Sequence, residues 1–315
     1  MRVSIIISVY NCLPLTQTCL ETLERTVPVG LDHELVLVDD GSADGSRDFL
    51  KQYASTRSNC NVLLNERNLG YARSNNRGAE LANGDVFLFL NNDTALLPGW
   101  VEPMLDGLNH KSRPGIVGNV QRRVVDGEID HAGVFITGEG KPDHFRQDPA
   151  TAFPGQDYKE FFAATGACLL MPAKVFRDLK GFDPVFRNGG EDMDLNFRVK
   201  RRGHGVLIAN RSMIMHHVSA SPGRNDHHER NTCILFSRWR DLLLNEGARQ
   251  WSLDYLESHR SSSGVLNDPV YRQARLMKAG WRSKPPAEAI RAVNARMAEQ
   301  ERVWAEMFPG GPENY

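Results

Sequence analysis

A short apolar stretch constrains the fold more than any other feature of the sequence. Val86–Leu90 reads Val-Phe-Leu-Phe-Leu, and Asn91, Asn92 and Asp93 follow it directly. An apolar run of this length is typical of a strand that is buried on both faces of a parallel sheet. Its polar end would lie at the carboxyl edge of the sheet, where open α/β sheets bind ligands. Taken alone, the three polar residues are also explained by a turn.

Strand and helix patterns alternate up to this point. The predicted strands are Val3–Val9, Glu34–Val38, Asn61–Leu64 and Val86–Leu90, and the predicted helices are Leu13–Thr26, Ser46–Tyr53 with Ser46 as its N-cap, and Tyr71–Leu81. This alternation indicates an α/β fold with a doubly wound sheet. Because the strands of such a sheet end at one edge, we expect Tyr10, Asp39, Asp40 and Asn91–Asp93 to meet there.

The rest of the chain is less regular. Its patterns predict helices over Pro98–Asn109 and Glu191–Arg202, and strands over Ile116–Val120, Val134–Ile136, Phe162–Met171, Val206–Ala209 and Met213–Met215. Beyond a polar stretch near residue 220, the predicted elements are helices over Glu229–Asn245, Ser252–Glu257, Pro269–Ala279 and Pro286–Met307. We therefore predict one α/β domain over residues 1–220 and a helical C-terminal extension over residues 221–315.

Composition and charge are those of an ordinary globular protein. The formal net charge is −1, so no field of the whole chain attracts nucleic acid or anionic lipid. The five cysteines are scattered without CxxC spacing, which argues against a disulfide framework or a zinc site. The apolar stretch within residues 1–8 is shorter than we expect of a signal peptide, and no run approaches the roughly 20 apolar residues that a membrane span requires. We expect a cytoplasmic protein, and peripheral contact with a membrane stays open.

Acidic and imidazole groups stand at the ends of several predicted elements. Asp40 and Asp93 follow strands, Glu191 and Asp192 open a helix, and His216 ends a strand. Each has a structural explanation, because an aspartate after a strand is often a turn residue and acidic residues favour the first turn of a helix. His216 is also explained as a half-buried polar residue. Their combination and order argue for function.

These groups belong to an ordered set of motifs. The motifs are SIIISVYN at 4–11, VDDGS at 38–42, NLGYARSNNRG at 68–78, LNND at 90–93, TGACLLMP at 165–172, GFDPVF at 181–186, GEDMDLNFRVKRR at 190–202 and the pair His216-His217. On these motifs the chain resembles, over residues 1 to about 220, the family 2 inverting glycosyltransferases of the GT-A fold. It is most similar to the bacterial subgroup that builds O-antigen, capsule or exopolysaccharide chains, which includes rhamnosyltransferases.

The resemblance implies a role for each motif. Asp192 would be the general base, with Glu191 beside it, and Asp93 and His216 would hold Mn²⁺ or Mg²⁺. The nucleotide-binding residues would be Ser8, Tyr10, Asp39, Asp40, Asn68, Gly70, Arg73 and Asn92, although Asp39 is also explained by a role in holding its turn. One position departs from the family pattern, because Asn91 stands where the DxD motif has its first aspartate. An amide oxygen is a weaker metal ligand, so metal binding would depend more on the other groups.

The function that the resemblance implies is transfer of a sugar from a UDP- or dTDP-linked donor to an acceptor hydroxyl, in the synthesis of bacterial surface polysaccharide. Two other functions stay open: a sugar nucleotidyltransferase and an inactive scaffold that binds nucleotide sugars. The first usually has a glycine-rich basic loop, which Ser8–Cys12 lacks. The intact Glu191-Asp192 pair argues against the second. The C-terminal helices could form a homodimer, cover the acceptor cleft or rest on a membrane that carries a lipid-linked saccharide acceptor; nucleic-acid binding is not expected.

Overall fold

The computed structural model describes residues 1–217, 226–260 and 265–315. Its strands are β1 (Val3–Val9), β2 (His33–Asp39), β3 (Cys60–Leu64), β4 (Val86–Leu90), β5 (Thr94–Leu96), β6 (Pro114–Arg123), β7 (Ile129–His131), β8 (Val134–Ile136), β9 (Pro142–His144), β10 (Tyr158–Glu160), β11 (Cys168–Pro172) and β12 (Gly205–His216). Its α-helices are α1 (Leu13–Thr26), α2 (Ser46–Ser55), α3 (Tyr71–Leu81), α4 (Glu102–Gly107), α5 (Pro149–Ala152), α6 (Ala173–Asp178), α7 (Glu191–Arg201), α8 (His228–Ser258), α9 (Pro269–Lys278) and α10 (Ala287–Met307). Single 3₁₀ turns cover Val265–Asn267 and Pro312–Asn314.

Ten of the described strands form one mixed sheet. Its main path has the order β10-β12-β6-β11-β4-β1-β2-β3, with β5 paired to β12 and β7 paired to β6. Strands β4, β1, β2 and β3 run parallel to one another, whereas β11 is antiparallel to both of its neighbours, β4 and β6. The predicted doubly wound α/β sheet is therefore confirmed, and its parallel half consists of the four strands that the apolar runs identified.

The side chains of β1 alternate between two buried apolar clusters, one on each face of the sheet. Ile5 packs in the cluster that contains Leu20 of α1, and Ile6 packs in the cluster that contains residues of α3. Helix α3 lies very close to the strands, because a Cβ atom at Gly78 would be only 2.7 Å from Cγ2 of Ile6. Glycine at this position lets α3 reach the sheet and fixes where the N-terminus of the helix lies.

The strand predicted over Phe162–Met171 is shortened to β11, and the cause is a side chain from another element. Asn196 of α7 accepts a hydrogen bond from the N–H of Ala164 at 3.0 Å and donates one to the carbonyl of Ala164 at 2.9 Å. These bonds occupy the backbone groups that Ala164 would offer to a neighbouring strand. The chain therefore joins the regular ladder only at Cys168.

Two helices differ from the prediction at their ends. Helix α4 covers only the middle of the predicted Pro98–Asn109 helix. Helix α2 begins at Ser46, but the N-cap is Gly45, with a φ angle of 93°, so the prediction that Ser46 caps the helix is wrong. Asp44 accepts hydrogen bonds from both the N–H and the hydroxyl of Ser46, at 3.1 and 2.6 Å. The oxygen that satisfies the helix start therefore comes from outside the helix.

The chain divides into two compact units. The first contains Met1–Val134 and His144–His228, and the second contains Phe135–Asp143 and Glu229–Tyr315. The predicted boundary near residue 220 lies outside the described residues, so the division into 1–220 and 221–315 stays a prediction. The structure adds that Phe135–Asp143, which the sequence assigned to the first domain, clusters with the C-terminal helices.

The second unit is built on the long helix α8. Two helices were predicted here, over Glu229–Asn245 and Ser252–Glu257. The structure has two helical segments that meet at a kink at Trp239 (φ −116°, ψ 18°), so the break lies earlier in the chain than predicted. Helix α8 approaches the β8–β9 hairpin closely, because a Cβ atom at Gly247 would lie 2.8 Å from the Cα of Gly140. Among the described residues, no helix combines the length and apolar character needed to cross a membrane.

We expect the Phe89→Ala substitution to lower the free energy of unfolding by about 3–5 kcal/mol, because it leaves a cavity at the centre of the sheet. Phe89 is fully buried, and its ring lies 4.8 Å from that of Phe176 and 5.0 Å from that of Phe182. Urea unfolding measures the change. Val125→Ala is the control, since Val125 is 86% exposed; a loss at Phe89 no larger than at Val125 would contradict the packing described.

Candidate active site

The loops that follow β1, β2 and β4 are bonded to one another at the carboxyl edge of the sheet. Asn11 donates its N–H to Oγ of Ser42 at 2.8 Å and accepts the N–H of Ala43 at its Oδ1, also at 2.8 Å. The side-chain amide of Asn92 donates to the carbonyl of Asn11 at 3.4 Å. The three polar strand ends that were expected to meet therefore form one connected surface.

Asp40 anchors the loop that leads into α3. Its Oδ1 accepts hydrogen bonds from the side chain of Asn65 and the N–H of Leu69, both at 2.8 Å, and its Oδ2 accepts the N–H of Gly70 at 2.9 Å. The carboxylate is buried. Since a carboxylate offers about four acceptor positions, one position is left for a ligand.

Both carboxylate oxygens of Asp39 accept hydrogen bonds from neighbouring residues of the protein. Its Oδ2 accepts from Nε of Arg47 at 2.8 Å, and its Oδ1 accepts from the N–H of Ser42 at 3.2 Å. Arg47 also donates to the carbonyl of Asn65, which ties the end of β2 to the end of β3. Of the two sequence explanations for Asp39, this geometry favours the one in which it holds the turn.

The N-terminus of α3 is formed by a glycine turn. Gly70 is the N-cap with a φ angle of 85°, and the N–H of Tyr71 is held by Oδ1 of Asn188 at 3.2 Å. Asn68, whose Oδ1 accepts the N–H of Gly70, and Arg73 are exposed beside this turn. A helix N-terminus with an unburied arginine is suited to an anion.

Two further candidates lie at the end of β1. Oγ of Ser8 accepts a hydrogen bond from the side-chain amide of Asn75 in α3, at 3.0 Å. Tyr10 is half-buried at the carboxyl end of the strand. Both candidates therefore belong to the same edge of the sheet as Asp40.

Asp93 and His216 form a buried pair across the pairing of β5 with β12. Oδ1 of Asp93 lies 3.2 Å from Nε2 of His216, and the residues are only 6% and 3% exposed. Neither atom has a hydrogen-bond partner among the described residues, so the two atoms are close without the alignment of a hydrogen bond. The carbonyl of Asp93 accepts the N–H of His217 at 2.9 Å, which fixes the two segments together.

The donor chemistry of this pair fits a divalent cation. Two buried polar atoms that converge without hydrogen-bond geometry can be satisfied by one ion, and carboxylate and imidazole are common metal ligands. Within the described part of the chain, no group of three or more His, Cys, Asp or Glu side chains could hold a metal. A cation at Asp93 and His216 would therefore complete its shell with phosphate oxygens and water.

Asp192 lies in the first turn of α7 and is held by the backbone. Its Oδ2 accepts the N–H of Gly166 at 2.9 Å, and its Oδ1 accepts the N–H of Met193 at 2.8 Å. The residue is half-buried. Each oxygen has a fixed direction and keeps acceptor capacity, so the carboxylate can take a proton from a neighbouring ligand.

Tyr71 fixes the peptide that orients Asp192. Its hydroxyl donates to the carbonyl of Gly166 at 2.7 Å, and a Cβ atom at Gly166 would lie 2.9 Å from this hydroxyl. Burial raises the pKa of Tyr71 well above its ordinary value, and the charges of Glu191 and Asp192 act in the same direction. Tyr71 therefore stays protonated and donates.

The three acids in the first turn of α7 have different surroundings. Glu191 is buried and accepts the N–H of Gly189 at 2.8 Å. Asp194 is buried and forms an ion pair with Arg198 at 2.7 Å. Asp192 alone of the three is half-buried rather than buried, which makes it the acid that a ligand can reach.

Sequence reasoning missed several residues that build this site. Asn65, at the end of β3, is buried and bonds Asp40 and Oγ of Ser74. Its position after a strand is the same signal that identified Asp40 and Asp93. Tyr71 and Gly166 lie inside motifs that were recognised, but their contact joins segments 95 residues apart and has no local signal.

His131 is fully buried in β7. Neither ring nitrogen has a hydrogen-bond partner among the described residues, and its ring lies 5.1 Å from that of His144. Burial lowers the pKa of His131 well below its ordinary value, and His144, His216 and Arg146 act in the same direction. The imidazole is therefore neutral at physiological pH.

Comparison with known proteins identifies the family. The profile of glycosyl transferase family 2 matches residues 4–179, which is more than half of the chain. The chain belongs to this family. The O-antigen biosynthesis protein RfbC of Myxococcus xanthus is 26% identical over 242 residues, which cover 74% of this chain and 19% of that protein. Polypeptide N-acetylgalactosaminyltransferase 5 of Caenorhabditis elegans is 31% identical over 232 residues, which cover 68% of this chain and 37% of that protein. The chain thus spans only a minor part of these relatives.

Solved structures show the same fold. GalNAc-T7 with UDP, GalNAc and Mn²⁺ has a TM-score of 0.62 at 15% identity, covering 88% of this chain and 54% of that one. The mannosyltransferase PcManGT of Pyrobaculum calidifontis, in complex with GDP-Man and Mn²⁺, has a TM-score of 0.58 at 14% identity, covering 95% and 86%. At such identities the likeness shows the fold alone, and this fold is the GT-A fold.

We expect Asp93→Asn and His216→Ala each to weaken Mn²⁺ binding by about tenfold or more, since each removes one of two converging ligands. Electron paramagnetic resonance of Mn²⁺, with UDP and separately with GDP present, measures the bound fraction. His217→Ala is the matched control, because His217 contacts Asp93 through its backbone N–H. Equal binding by all three variants would exclude a metal site at this pair.

Proposed function

We propose that the protein is an inverting glycosyltransferase that moves a sugar from a nucleoside-diphosphate donor to an acceptor hydroxyl. One observation carries this proposal. Asp192 is bonded to Gly166, and the next residue, Ala167, accepts the N–H of Asn91 at 2.9 Å. The accessible carboxylate of Asp192 and the Asp93–His216 pair are therefore both connected to the segment that follows β4. A single displacement requires that a proton acceptor and a diphosphate site be held in one region in this way.

In this proposal Asp192 is the general base. The acceptor hydroxyl forms its bond to the anomeric carbon while the bond from that carbon to the diphosphate oxygen breaks, and the hydroxyl proton passes to Asp192. Such a base contributes on the order of 10²–10⁴-fold to the rate. When bound, a divalent cation would offset the charge that develops on the departing diphosphate. Glu191 would hold the Gly189–Gly190 turn and the start of α7.

The nucleotide would occupy the edge formed by β1, β2 and α3. Asp40 would accept the N–H of the base with its remaining lone pair, beside Ser8 and Tyr10. Asp39 would hold the turn, and Asn92 would keep the loops of β1 and β4 together.

The diphosphate would lie at the N-terminus of α3. Gly70 would let the backbone approach it, Arg73 would offset its charge, and Asn68 would contact the ribose. Asp93 and His216 would hold the cation on its other side. The neighbours that bind UDP or GDP-Man together with Mn²⁺ support this arrangement. The cation would be Mn²⁺ or Mg²⁺, which both accept carboxylate and phosphate oxygens as ligands.

The biological setting is proposed from the relatives. The likeness to RfbC, an O-antigen biosynthesis protein, supports a role in bacterial surface polysaccharide synthesis. We infer a hexosyl or deoxyhexosyl donor linked to UDP or dTDP, as in the rhamnosyltransferase-like subgroup, and a saccharide or lipid-linked saccharide as acceptor. The protein would act in the cytoplasm, with residues 221–315 near the acceptor, near a membrane or in a homodimer.

We expect Asp192→Asn to lower the rate of transfer by on the order of 10²–10⁴-fold, because the amide cannot take the proton. Donor binding, followed by the rise in melting temperature with UDP-, dTDP- or GDP-sugars and Mn²⁺, should be unchanged. Asp178→Asn is the control, since Asp178 is exposed and forms an ion pair with the exposed Lys174 one turn earlier in α6.

Near-normal transfer by the Asp192 variant would remove it from the mechanism. Retention of the anomeric configuration in the product would overturn the single displacement. Donor binding by the wild-type protein without transfer or hydrolysis would indicate a scaffold, and pyrophosphate release from a nucleoside triphosphate would indicate a nucleotidyltransferase.

We expect Tyr71→Phe to lower kcat about fivefold with the KM for donor unchanged, since loss of one hydrogen bond of roughly 1 kcal/mol loosens the peptide that orients Asp192. Steady-state kinetics measures both constants. Tyr53→Phe is the control, because its hydroxyl donates to Glu24 at 2.8 Å, between α2 and α1. An equal effect of both substitutions would point to general destabilisation instead.

A further inference from the structure

Helix α9 and the turn after it present a basic surface on the second unit. The helix packs Tyr271, Ala274 and Met277 inward. The segment also carries five cations, and between residues 269 and 287 it contains no Asp or Glu. The five, together called the α9 basic surface, are Arg272, Arg275, Lys278, Arg282 and Lys284, of which all but Arg282 are exposed.

These cations differ from the other basic residues of the same unit. Arg240 pairs with Glu301, Arg291 with Glu288, Arg302 with Glu299 and Arg260 with Glu257. Within the described part of the chain, none of the five cations of the α9 basic surface lies within 4.0 Å of a carboxylate. Their charge is therefore not neutralised by the protein, although the net charge of the whole chain is −1.

Two large apolar side chains are exposed in the same segment. Leu276 is 42% exposed and Trp281 is 84% exposed. A tight turn holds them near each other, because the N–H of Trp281 donates to the carbonyl of Leu276 at 2.9 Å and the N–H of Gly280 donates to that of Met277 at 3.0 Å. This is the Schellman pattern with glycine at a φ angle of 78°. The tryptophan is thus presented to solvent by an ordered turn.

We propose that the α9 basic surface, with Leu276 and Trp281, binds the surface of a bilayer that contains anionic lipids. Lysine and arginine are attracted to anionic headgroups, and tryptophan is the side chain that favours the membrane interface. The exposed Leu276 favours a bilayer over a single-stranded nucleic acid, because bases stack on an aromatic ring such as Trp281, whereas an aliphatic side chain is better buried at a lipid interface. None of these residues has a role in the proposed reaction, so membrane binding can be tested independently of sugar transfer.

Co-sedimentation of the full chain with vesicles tests the proposal. The protein should bind vesicles of phosphatidylcholine with phosphatidylglycerol, should not bind phosphatidylcholine alone, and should be released by high salt. The triple variant Arg272→Gln, Arg275→Gln, Lys278→Gln should bind about a hundredfold more weakly, since each basic side chain near an anionic surface adds roughly fivefold. The matched control changes Arg260, Arg291 and Arg302 to Gln, which removes the same charge from paired residues and should leave binding unchanged.

Tryptophan fluorescence tests the apolar part. Trp100, Trp239 and Trp304 are buried and Trp251 is half-buried, so Trp281 is the most exposed of the five. Brominated lipids in the anionic vesicles should quench the wild-type emission, and Trp281→Phe should remove this quenching.

Equal loss of binding in both triple variants, equal binding to neutral vesicles, or binding of single-stranded RNA without binding to vesicles would each overturn the proposal. Transfer to a water-soluble acceptor should be the same in all variants, which separates this result from the proposed chemistry.

Discussion

Parallel pairing of β4, β1, β2 and β3 is the constraint on which the site depends. In register, Val9 lies opposite Asp39, so the chain after each of these strands emerges at the same edge. The side chains of β4 are all apolar and buried, and the polar residues Asn91–Asp93 follow at its end. Asp40 follows β2 and Asp93 follows β4, so both lie at this edge of the sheet.

Hydrogen bonding sorts the carboxylates at this edge into different roles. Asp39 and Asp40 are buried and bonded by the turns they support, so most of their acceptor capacity maintains the loops. Oδ1 of Asp93 is buried without a partner among the described residues, a costly state unless a ligand satisfies it. Asp192 lies between these cases, since backbone donors orient it and it is only half-buried. Burial and hydrogen-bond partners, rather than residue type, separate the acids that hold turns from those that we propose to contact a ligand.

The second unit shows the same kind of contrast among its arginines. Most are paired with a glutamate one turn away or on a neighbouring element, whereas those of α9 face solvent beside exposed Leu276 and Trp281. Exposed ion pairs contribute little to stability. The difference between paired and unpaired arginines therefore chiefly affects which charged ligands the surface attracts. The surface that we propose to bind lipid shares no residue with the edge of the sheet.

The sequence by itself determined the elements whose signal is local. The apolar runs gave β1, β4 and β8 and the periodicity gave α1 with the bounds that the structure has, because a buried strand or an amphipathic helix is specified by the residues within it. The polar strand ends likewise marked most of the candidate site. Only the tertiary structure decided three contacts. Asn196 binds the backbone of Ala164, so that β11 begins only at Cys168. Asp39 binds Arg47, and Tyr71 holds the Gly166 peptide that orients Asp192. The contacts of Asn196 and Tyr71 join residues 32 and 95 positions apart in the chain, and no local pattern records which distant side chain satisfies a given backbone group.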